Sequence, residues 1–216
     1  PDNDFIFHGE GDLFQLGLDI ITQLSSGATH LNLDGNSNSP RVFSNAKGVQ
    51  INRFYGPHPS GNVGVQIHHI NPINKGDIVW YISPQDIVTI ARFFRDAKYD
   101  ASKIVALTGS KVRKARYYRI IQGASIKKLV ENNLVEGNKR FISGNPLTGS
   151  QISENGFLGF YHFQICIIPD GNYSEFFGWL LPGFHKYSLS RTFFSWMNSK
   201  AQYDLDSNTH GEERAY

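Results

Sequence analysis

The sequence contains one cysteine and no apolar run long enough to span a membrane. Cys166 has no second thiol to pair with and lies in an apolar stretch, which predicts a buried, inert thiol and a reducing compartment such as the cytoplasm. The longest apolar stretch, residues 176–184, is nine residues long and is interrupted by glycine and proline, whereas a spanning helix needs about 20. We therefore expect neither an internal disulfide nor a transmembrane helix.

Motifs of several enzyme classes are also missing. Gly9 and Gly11 lie between two apolar segments, but no third glycine completes a dinucleotide fingerprint, and there is no P-loop lysine. No Gly-x-Ser-x-Gly elbow marks a hydrolase nucleophile, and the carboxylates fall mainly at turns and helix starts rather than in catalytic pairs. We predict a tight turn at Gly9–Gly11, no catalytic residue and no bound nucleotide.

Charge is distributed unevenly along the 216 residues. Residues 1–100 carry 7 basic and 10 acidic side chains (net −3), residues 101–140 carry 10 and 2 (net +8), and residues 141–216 carry 4 and 7 (net −3). Such a basic segment suits a phosphate-rich ligand, nucleic acid, an acidic protein surface or anionic lipid. Charge alone does not choose among these partners.

Residues 111–119 concentrate this charge and interleave it with two tyrosines. The candidate contacts in this segment are Lys111, Arg113, Lys114, Tyr117 and Tyr118. Stacking and phosphate contacts of this kind are used by nucleic-acid binders. Side chains alternate between the two faces of a strand, however, so the segment does not present one wholly basic face. A solvated or partner-facing strand is favoured over a nucleic-acid interface.

The first hundred residues alternate between strand-like and helix-like patterns. Predicted strands cover residues 4–8, 29–33, 49–55 and 77–82. A helix is predicted to start at Asp12 and end before Gly27, and another to span Pro84 to Arg95 with Ser83 as its N-cap. Alternation of this kind predicts an α/β layer domain with a mainly parallel sheet over residues 1–100.

The pattern changes after residue 100. Strands are predicted at 103–108, 115–121 and 139–143, with one helix over 124–133. A hairpin is predicted from residues 157–168 and 173–181, joined by Pro169-Asp-Gly171. We therefore expect a small α+β, β-grasp-like domain with a hairpin extension over residues 101–185. Residues 186–216 are expected to be a linker and polar tail leading to a further C-terminal domain.

The most distinctive loop is Gly56-Pro-His-Pro-Ser-Gly61, in which Pro57 and Pro59 restrict the backbone and Gly56 and Gly61 allow unusual angles. The loop presents His58. The same stretch of chain also contains His68 and His69. The spacing matches no established metal site, and structural histidines are favoured over metal ligands.

These motifs, in this order, resemble the A subunit of the sodium-translocating NADH:quinone reductase. The resemblance rests on the Gly56–Gly61 loop, Val79-Trp-Tyr-Ile-Ser-Pro-Gln-Asp-Ile87 and Ile104-Val-Ala-Leu-Thr-Gly109, then on Gly123-Ala-Ser125, Arg140-Phe-Ile-Ser-Gly144, Leu147-Thr-Gly149, Leu158-Gly-Phe-Tyr-His162 and Phe177-Gly-Trp-Leu-Leu-Pro-Gly183. It covers roughly residues 5 to 215. Gln66, Ser110 and Phe160 depart from the residues that the family often has.

The resemblance implies an internal piece of a peripheral subunit on the cytoplasmic face of the bacterial inner membrane. It implies a partial Rossmann-like domain related to the complex I flavoprotein but without flavin, followed by a β-grasp, soluble-ligand-binding domain. The resemblance also implies that the flavin, the NADH site and the iron–sulfur cluster of that flavoprotein are lost, so no cofactor is expected in this chain. The single Cys166 agrees with the loss of the cluster, because a cluster needs four thiolates. NADH, flavins and an iron–sulfur or iron centre are expected on other subunits, and the piece itself is not expected to be catalytic.

The implied partners are the other subunits of the redox pump, especially a membrane-embedded one, and quinone is a possible ligand. Gly56, Pro57, His58, Pro59, Gly61 and His68 are the candidate contacts of the first domain. Two alternatives remain open at this point. The chain could be an isolated soluble-ligand-binding module that uses this loop with Tyr117 or Tyr118, or it could bind nucleic acid through residues 111–119.

Overall fold

The computed structural model describes residues 2–171, 176–187, 191–198, 200, 202–203 and 206–207. The chain divides after Ala101 into two compact units, each built around its own sheet. Within the described ranges, none of the helices has both the length and the apolar character needed to cross a membrane.

The first unit is an α/β structure. Its helices are α1 Asn3–Ile6, α2 Gly11–Leu24, α3 Arg41–Ser44, α4 Val63–Ile70 and α5 Pro84–Asp96, and its strands are β1 His30–Asp34 and β2 Gln50–Phe54. The two strands pair in parallel, with Asn32 opposite Asn52. Both strands were predicted, and their parallel pairing is confirmed.

The predicted strand at residues 4–8 is wrong, because this stretch starts with helix α1. The Asp2 carboxylate accepts hydrogen bonds from the backbone N–H groups of Asp4 (3.0 Å) and Phe5 (3.3 Å), which caps the helix. Of the apolar residues that suggested a strand, Phe7 packs in an aromatic cluster with Phe14 and Phe43, whereas Phe5 is exposed. Local capping thus outweighs the strand-like composition.

Two further predictions in the first unit are wrong. Residues 77–82, predicted as a strand, form no regular structure. Residues 63–70, for which no element was predicted, form helix α4. Gly64 and Gln66 interrupt the apolar periodicity of this helix, and periodicity is the main sequence signal for helices.

Helix α5 confirms its prediction, including its start. Ser83 caps it by accepting from the backbone N–H of Asp86 (3.2 Å), and Pro84 occupies the first turn. Arg92 of α5 pairs with Glu10, which precedes α2, and with Asp100 at 3.5 Å. Apolar packing between α2 and α5 and this ion pair fix the two helices against each other.

The second unit contains a five-stranded mixed sheet. Its elements are β3 Ser102–Thr108, β4 Arg116–Ile121, α6 Lys127–Val130, β5 Lys139–Ser143, β6 Ser150–Ile152 and β7 Gln164–Pro169, followed by 3₁₀ helices at Gly178–Leu180 and Phe194–Met197. The strand order is β4-β3-β7-β5-β6, and only the β3–β7 pair is parallel. The strands predicted at 103–108, 115–121 and 139–143 are confirmed.

Two features of the second unit differ from prediction. Strand β7 is central, between β3 and β5, rather than the first half of a hairpin. Residues 178–180 of the predicted second half form a 3₁₀ helix, and residues 173–175 lie outside the described residues. The predicted helix 124–133 shrinks to α6, because Ile126 N–H donates to the Gly156 carbonyl (3.0 Å) and Asn132 takes a left-handed conformation (φ +59°).

The core of the second unit lies mainly on one face of the sheet. Its buried members are Val105, Leu107, Ile120, Ile126, Val130, Phe141, Leu158, Ile165 and Ile167. A smaller cluster on the other face contains Ile142, Cys166 and Ile168. Alternate residues of β7 therefore contribute to both clusters, as expected for a central strand.

Cys166 is buried, as predicted. Burial raises the pKa of its thiol, and a side-chain hydrogen bond with Thr108 offsets this only in part. We predict that Cys166 reacts with an aromatic disulfide reagent at pH 8 far more slowly in the native chain than in urea, because the thiolate is the reactive form. Native labelling as fast as denatured labelling would contradict this burial. The initial rates in the two states provide the measurement.

Candidate functional site

The basic turn, residues 110–115, connects β3 to β4 and is held by backbone hydrogen bonds on both sides. Lys111 N–H donates to the Ile167 carbonyl (3.1 Å), and Val135 N–H donates to the Lys111 carbonyl (2.9 Å). Val112 forms an isolated antiparallel bridge with Leu134. The backbone of the basic turn is thus tied to strand β7 and to the segment after α6.

Asn133 clamps the tip of the basic turn. Its Oδ1 accepts from Lys114 N–H (2.9 Å), and its Nδ2 donates to the Lys114 carbonyl (2.9 Å). Its own carbonyl accepts from Arg113 N–H (2.9 Å). Three hydrogen bonds to one asparagine therefore fix the conformation of the backbone that carries Arg113 and Lys114. Asn133 was not predicted, since nothing local in the sequence connects it to a turn 19 residues earlier.

The three basic candidates of this turn differ in their environment. Lys111 is half-buried, and its Nζ donates to the Glu136 carbonyl (2.8 Å). Arg113 and Lys114 are exposed. Lys111 therefore stabilises the turn, whereas Arg113 and Lys114 place two positive charges in solvent on a fixed backbone.

The two tyrosines of β4 lie on opposite faces of the sheet. Tyr118 is half-buried and packs against the main core, opposite Val105 of β3. Tyr117 is half-buried on the other face. Arg116 and Arg119 are exposed. The strand thus contributes to packing as well as charge, and its tyrosines do not form one stacking surface.

In the first unit, the Gly56–Gly61 loop follows β2 and forms a compact turn. Gly56 has φ +124°, a backbone conformation that other residues rarely adopt. Its carbonyl accepts from Ser60 Oγ (3.0 Å), and Ser60 N–H donates to the Pro57 carbonyl (3.0 Å). Pro57, His58 and Pro59 are exposed at the surface of this turn.

A row of polar side chains connects this loop to the strand pair. Gln66 of α4 donates from Nε2 to the Ser60 carbonyl (3.3 Å) and accepts at Oε1 from Asn32 Nδ2 (3.1 Å). Asn52 Nδ2 donates to Asn32 Oδ1 (2.9 Å) and lies 3.2 Å from His30 Nδ1. The loop is therefore connected through Gln66 to one face of the β1–β2 pair. The other face of β1 carries the buried residues Leu31 and Leu33. Asn32 and Asn52 could have signalled this role, since they are polar residues at alternating positions in strands.

The histidines of this region do not converge on one point. His58 is exposed on the loop, and His68 and His69 are exposed on α4, with ring centroids 5.9 Å apart. Across the part of the chain that the structure describes, no group of three or more His, Cys, Asp or Glu side chains is placed to hold a metal.

One serine–histidine pair was not predicted. Ser143 Oγ lies 2.7 Å from His162 Nδ1 and accepts a hydrogen bond from Gly159 N–H (2.9 Å). Ser143 is only 1% exposed, so a substrate cannot reach its hydroxyl. The pair fastens the end of β5 to the segment before β7 and is structural.

The candidate residues fall into two groups, one in each unit. The loop and His68 belong to the first unit, and the basic turn and the tyrosines belong to the second. In the first group, Pro57–Pro59 are exposed on the loop and His68 is exposed on α4. Gln66 of α4 joins the two elements by donating a hydrogen bond to the Ser60 carbonyl of the loop. In the second group, Arg113 and Lys114 are consecutive in the chain and both exposed. Both groups place exposed side chains on backbone that hydrogen bonds hold in place.

Comparison with known proteins agrees with this division. Residues 1–99 match the family model described as the NqrA second alpha/beta domain, and residues 104–154 match the model described as the NQRA C-terminal domain. Curated relatives, each named as the A subunit of a Na(+)-translocating NADH-quinone reductase, include those of Rhodopirellula baltica (38% identical over 94% of this chain), Yersinia pestis bv. Antiqua (35% over 99%) and Pasteurella multocida (33% over 99%). These matches cover 45%, 48% and 48% of the relatives, so the chain spans about half their length.

The chain thus has an α/β unit followed by a unit with a mixed sheet, and each unit matches a domain model of one family. The chain belongs to the NqrA family. The resemblance inferred from the sequence motifs is confirmed.

Proposed function

We propose that this chain is part of the peripheral NqrA subunit of a sodium-translocating NADH:quinone reductase, on the cytoplasmic face of the membrane. Its role is to provide docking surface, while NADH, flavins and an iron–sulfur or iron centre belong to other subunits. The first unit is then a partial Rossmann-like domain that does not bind flavin, and the second is a β-grasp domain of the soluble-ligand-binding type. Membership in the NqrA family supports the assignment of this chain to the reductase complex. The absence of a catalytic motif from the sequence supports the docking role.

The basic turn is the observation that carries this role. Asn133 and the flanking backbone hydrogen bonds fix the turn, while Arg113 and Lys114 remain exposed. A charged surface whose backbone is already ordered loses little conformational entropy on binding, and complementary charges accelerate and orient association. The expected partner is an acidic surface on a membrane-embedded subunit of the pump.

Charge reversal tests this role. We predict that the double variant Arg113→Glu, Lys114→Glu binds the remaining pump subunits at least about tenfold more weakly, a loss of ~1.4 kcal/mol. Lys111 is left intact because it supports the turn. Binding is measured by titrating labelled chain onto the purified remaining subunits in detergent at low and moderate salt.

The matched control is Lys127→Glu, Lys128→Glu, which makes the same change in charge at two exposed positions on α6. Melting curves of both variants establish that each one folds. Equal binding by the two double variants would refute the basic turn as the docking surface. The nucleic-acid alternative predicts a different result. The chain would bind an oligonucleotide in a salt-sensitive way, only the Arg113, Lys114 double variant would lose that binding, and binding to the pump subunits would not change.

The second part of the proposed role is contact with quinone, for which the Gly56–Gly61 loop is the candidate surface. The loop is held by Gln66 and Ser60 and exposes His58 between two prolines. A preorganised turn of this kind suits contact with a polar ligand group or with a neighbouring subunit. The two tyrosines contribute less to such contact, since both are half-buried and they lie on opposite faces of the sheet.

A further inference from the structure

The polar row that holds the Gly56–Gly61 loop is a chain of hydrogen bonds with one direction. It runs from Asn52 to Asn32, then to Gln66, and ends at the Ser60 carbonyl, over distances of 2.9, 3.1 and 3.3 Å. At each step an amide nitrogen donates to an oxygen of the next residue. All three amide side chains are half-buried. The three amides therefore point the same way along the chain.

The Ser60 carbonyl fixes this direction, because a backbone carbonyl accepts hydrogen bonds and cannot donate one. The Gln66 amide must turn its Nε2 toward Ser60, and its Oε1 therefore faces Asn32. Asn32 must then donate from Nδ2 and accept at Oδ1, so Asn52 presents its Nδ2. A carboxamide exchanges its donor and acceptor ends only by flipping as a whole, so the orientation of each amide determines that of the next.

His30 lies at the other end of this chain. Asn52 Nδ2 carries two hydrogens, of which one is donated to Asn32 Oδ1 and the other faces His30 Nδ1, 3.2 Å away. A ring nitrogen that faces an N–H group must accept, so Nδ1 carries no proton and the neutral ring has its proton on Nε2. The Ser60 carbonyl thus determines the tautomer of His30 through three amides.

We infer that His30 is a pH-sensitive switch for the Gly56–Gly61 loop, which is held while His30 is neutral and released when His30 is protonated. A proton on Nδ1 sets the imidazolium N–H against the N–H of Asn52 Nδ2. If the three amides flip to accept from the imidazolium, Gln66 turns its Oε1 toward the Ser60 carbonyl, and two acceptors face each other. The inference rests on neither the docking role nor the quinone contact.

Release of the loop removes this conflict. Once the Ser60 carbonyl has moved away, the amides flip freely, and Asn52 Oδ1 accepts a charge-assisted hydrogen bond from His30. The released loop therefore binds the proton more tightly than the held loop does. By linkage, a fall in pH through the range in which histidine titrates favours release.

Asp34 is the charged residue that shares the face of β1 with His30. It lies at the other end of the strand, four residues away, or roughly 13 Å at the usual rise per residue. Hydrogen bonds from the Asn36 N–H and the Ser37 hydroxyl hold the pKa of Asp34 below its usual value. Asp34 therefore keeps its charge between about pH 5 and about pH 8, where histidine titrates.

The other charged or titratable side chains of β1, β2 and α4 are Arg53, His68 and His69. Arg53 pairs with Leu33, so it projects from the face of the strand pair opposite to His30. His68 and His69 are exposed on α4. They titrate in the same range as His30, so the experiment must distinguish them from it.

Nitrogen NMR of the chain tests the inference. At about pH 8, we expect His30 to show an unprotonated Nδ1 and a protonated Nε2. The Ser60 and Asn62 amides donate to the Pro57 and Pro59 carbonyls within the loop. Relative to an unfolded chain at the same pH, their exchange should be about tenfold faster at pH 5 than at pH 8, as expected for the loss of one hydrogen bond. A proton on Nδ1 at pH 8, or equal protection at both pH values, would overturn the inference.

Three variants separate His30 from the other histidines. His30→Asn keeps an acceptor near the position of Nδ1 at every pH, so the protection of the loop should no longer depend on pH. His69→Asn is the matched control, since His69 is exposed on α4, and the pH dependence should persist. Gln66→Glu replaces the donor to the Ser60 carbonyl with an acceptor, so the loop should exchange rapidly even at about pH 8.

Melting curves establish that each variant folds, and the NMR of the unaltered chain tests the tautomer without any substitution. Persistence of the pH dependence in His30→Asn would refute His30 as the switch. Undiminished protection of the loop in Gln66→Glu at about pH 8 would refute the amide chain as the connection between His30 and the loop.

Discussion

Replacing Gly109 by alanine is expected to destabilise the second unit by about 3–5 kcal/mol, because a clash and backbone strain combine at one position. Gly109 follows β3 with φ +110°, and a Cβ added there would lie 2.1 Å from the Ile167 carbonyl oxygen. That oxygen also accepts the hydrogen bond from Lys111 N–H. The contact involves the backbone of the central strand, so no side-chain rearrangement can relieve it.

The consequence extends to the basic turn, which begins at this glycine. Val112 N–H donates to the Gly109 carbonyl (3.1 Å), so a displaced Gly109 also shifts the start of the turn. We expect the alanine variant to lose much of the exchange protection of β3 and β7 and to bind the partner subunits weakly. Urea unfolding combined with exchange of the β3 and β7 amides measures the effect.

Gly123→Ala is the matched control. Gly123 also has positive φ, +81°, but a Cβ there would meet no atom within 4 Å. Its expected cost is the left-handed backbone strain alone, about 1–2 kcal/mol. Similar losses in the two variants would mean that β3 and β7 do not approach as closely as described.

Elements with strong local signals were predictable from the sequence. Helix α5 has a capping serine, a proline in its first turn and a periodic apolar face, and all three act within a few residues of one another. Strands β3 and β5 are short, and each contains consecutive apolar residues and is followed by a glycine. Their identity depends little on the rest of the chain.

Elements whose state depends on distant partners were not predictable. The turn formers after Ile168 suggested a hairpin, but β7 pairs with β3 and β5, so distant pairing overrides a local turn signal. Residues 77–82 have the composition of a strand but form no regular structure, since composition alone does not place a segment in a sheet. Helix α4 lacks a clear periodic face and depends on its contacts with β1 through Gln66.

The candidate surfaces divide in the same way. Charge identified Lys111, Arg113 and Lys114 as one group, since charge is a property of the residues themselves. The division of roles within that group comes from Asn133 and Glu136, which contact the turn only in the folded chain. Likewise, the prolines indicated a rigid loop, but its support by Asn32 and Gln66 is a tertiary feature.

Gly17→Ala is expected to destabilise the first unit by about 1–3 kcal/mol, even though alanine is the better helix former. A Cβ at Gly17 of α2 would lie 2.5 Å from the Ile87 carbonyl oxygen and 2.6 Å from Ile87 Cγ2. Because the carbonyl belongs to the backbone of α5, the two helices would have to separate. Their separation would also strain the ion pair between Arg92 and Glu10.

Gly64→Ala makes the same substitution in helix α4, where a Cβ would meet no atom within 4 Å. Helix propensity then acts alone, and we expect stabilisation by about 0.5–1 kcal/mol. The two variants should therefore change the free energy of unfolding in opposite directions, as measured by urea titration followed by circular dichroism. If both variants were stabilised, α2 and α5 could not pack through Gly17 in solution, because propensity would then be the only effect of the added methyl group at either position.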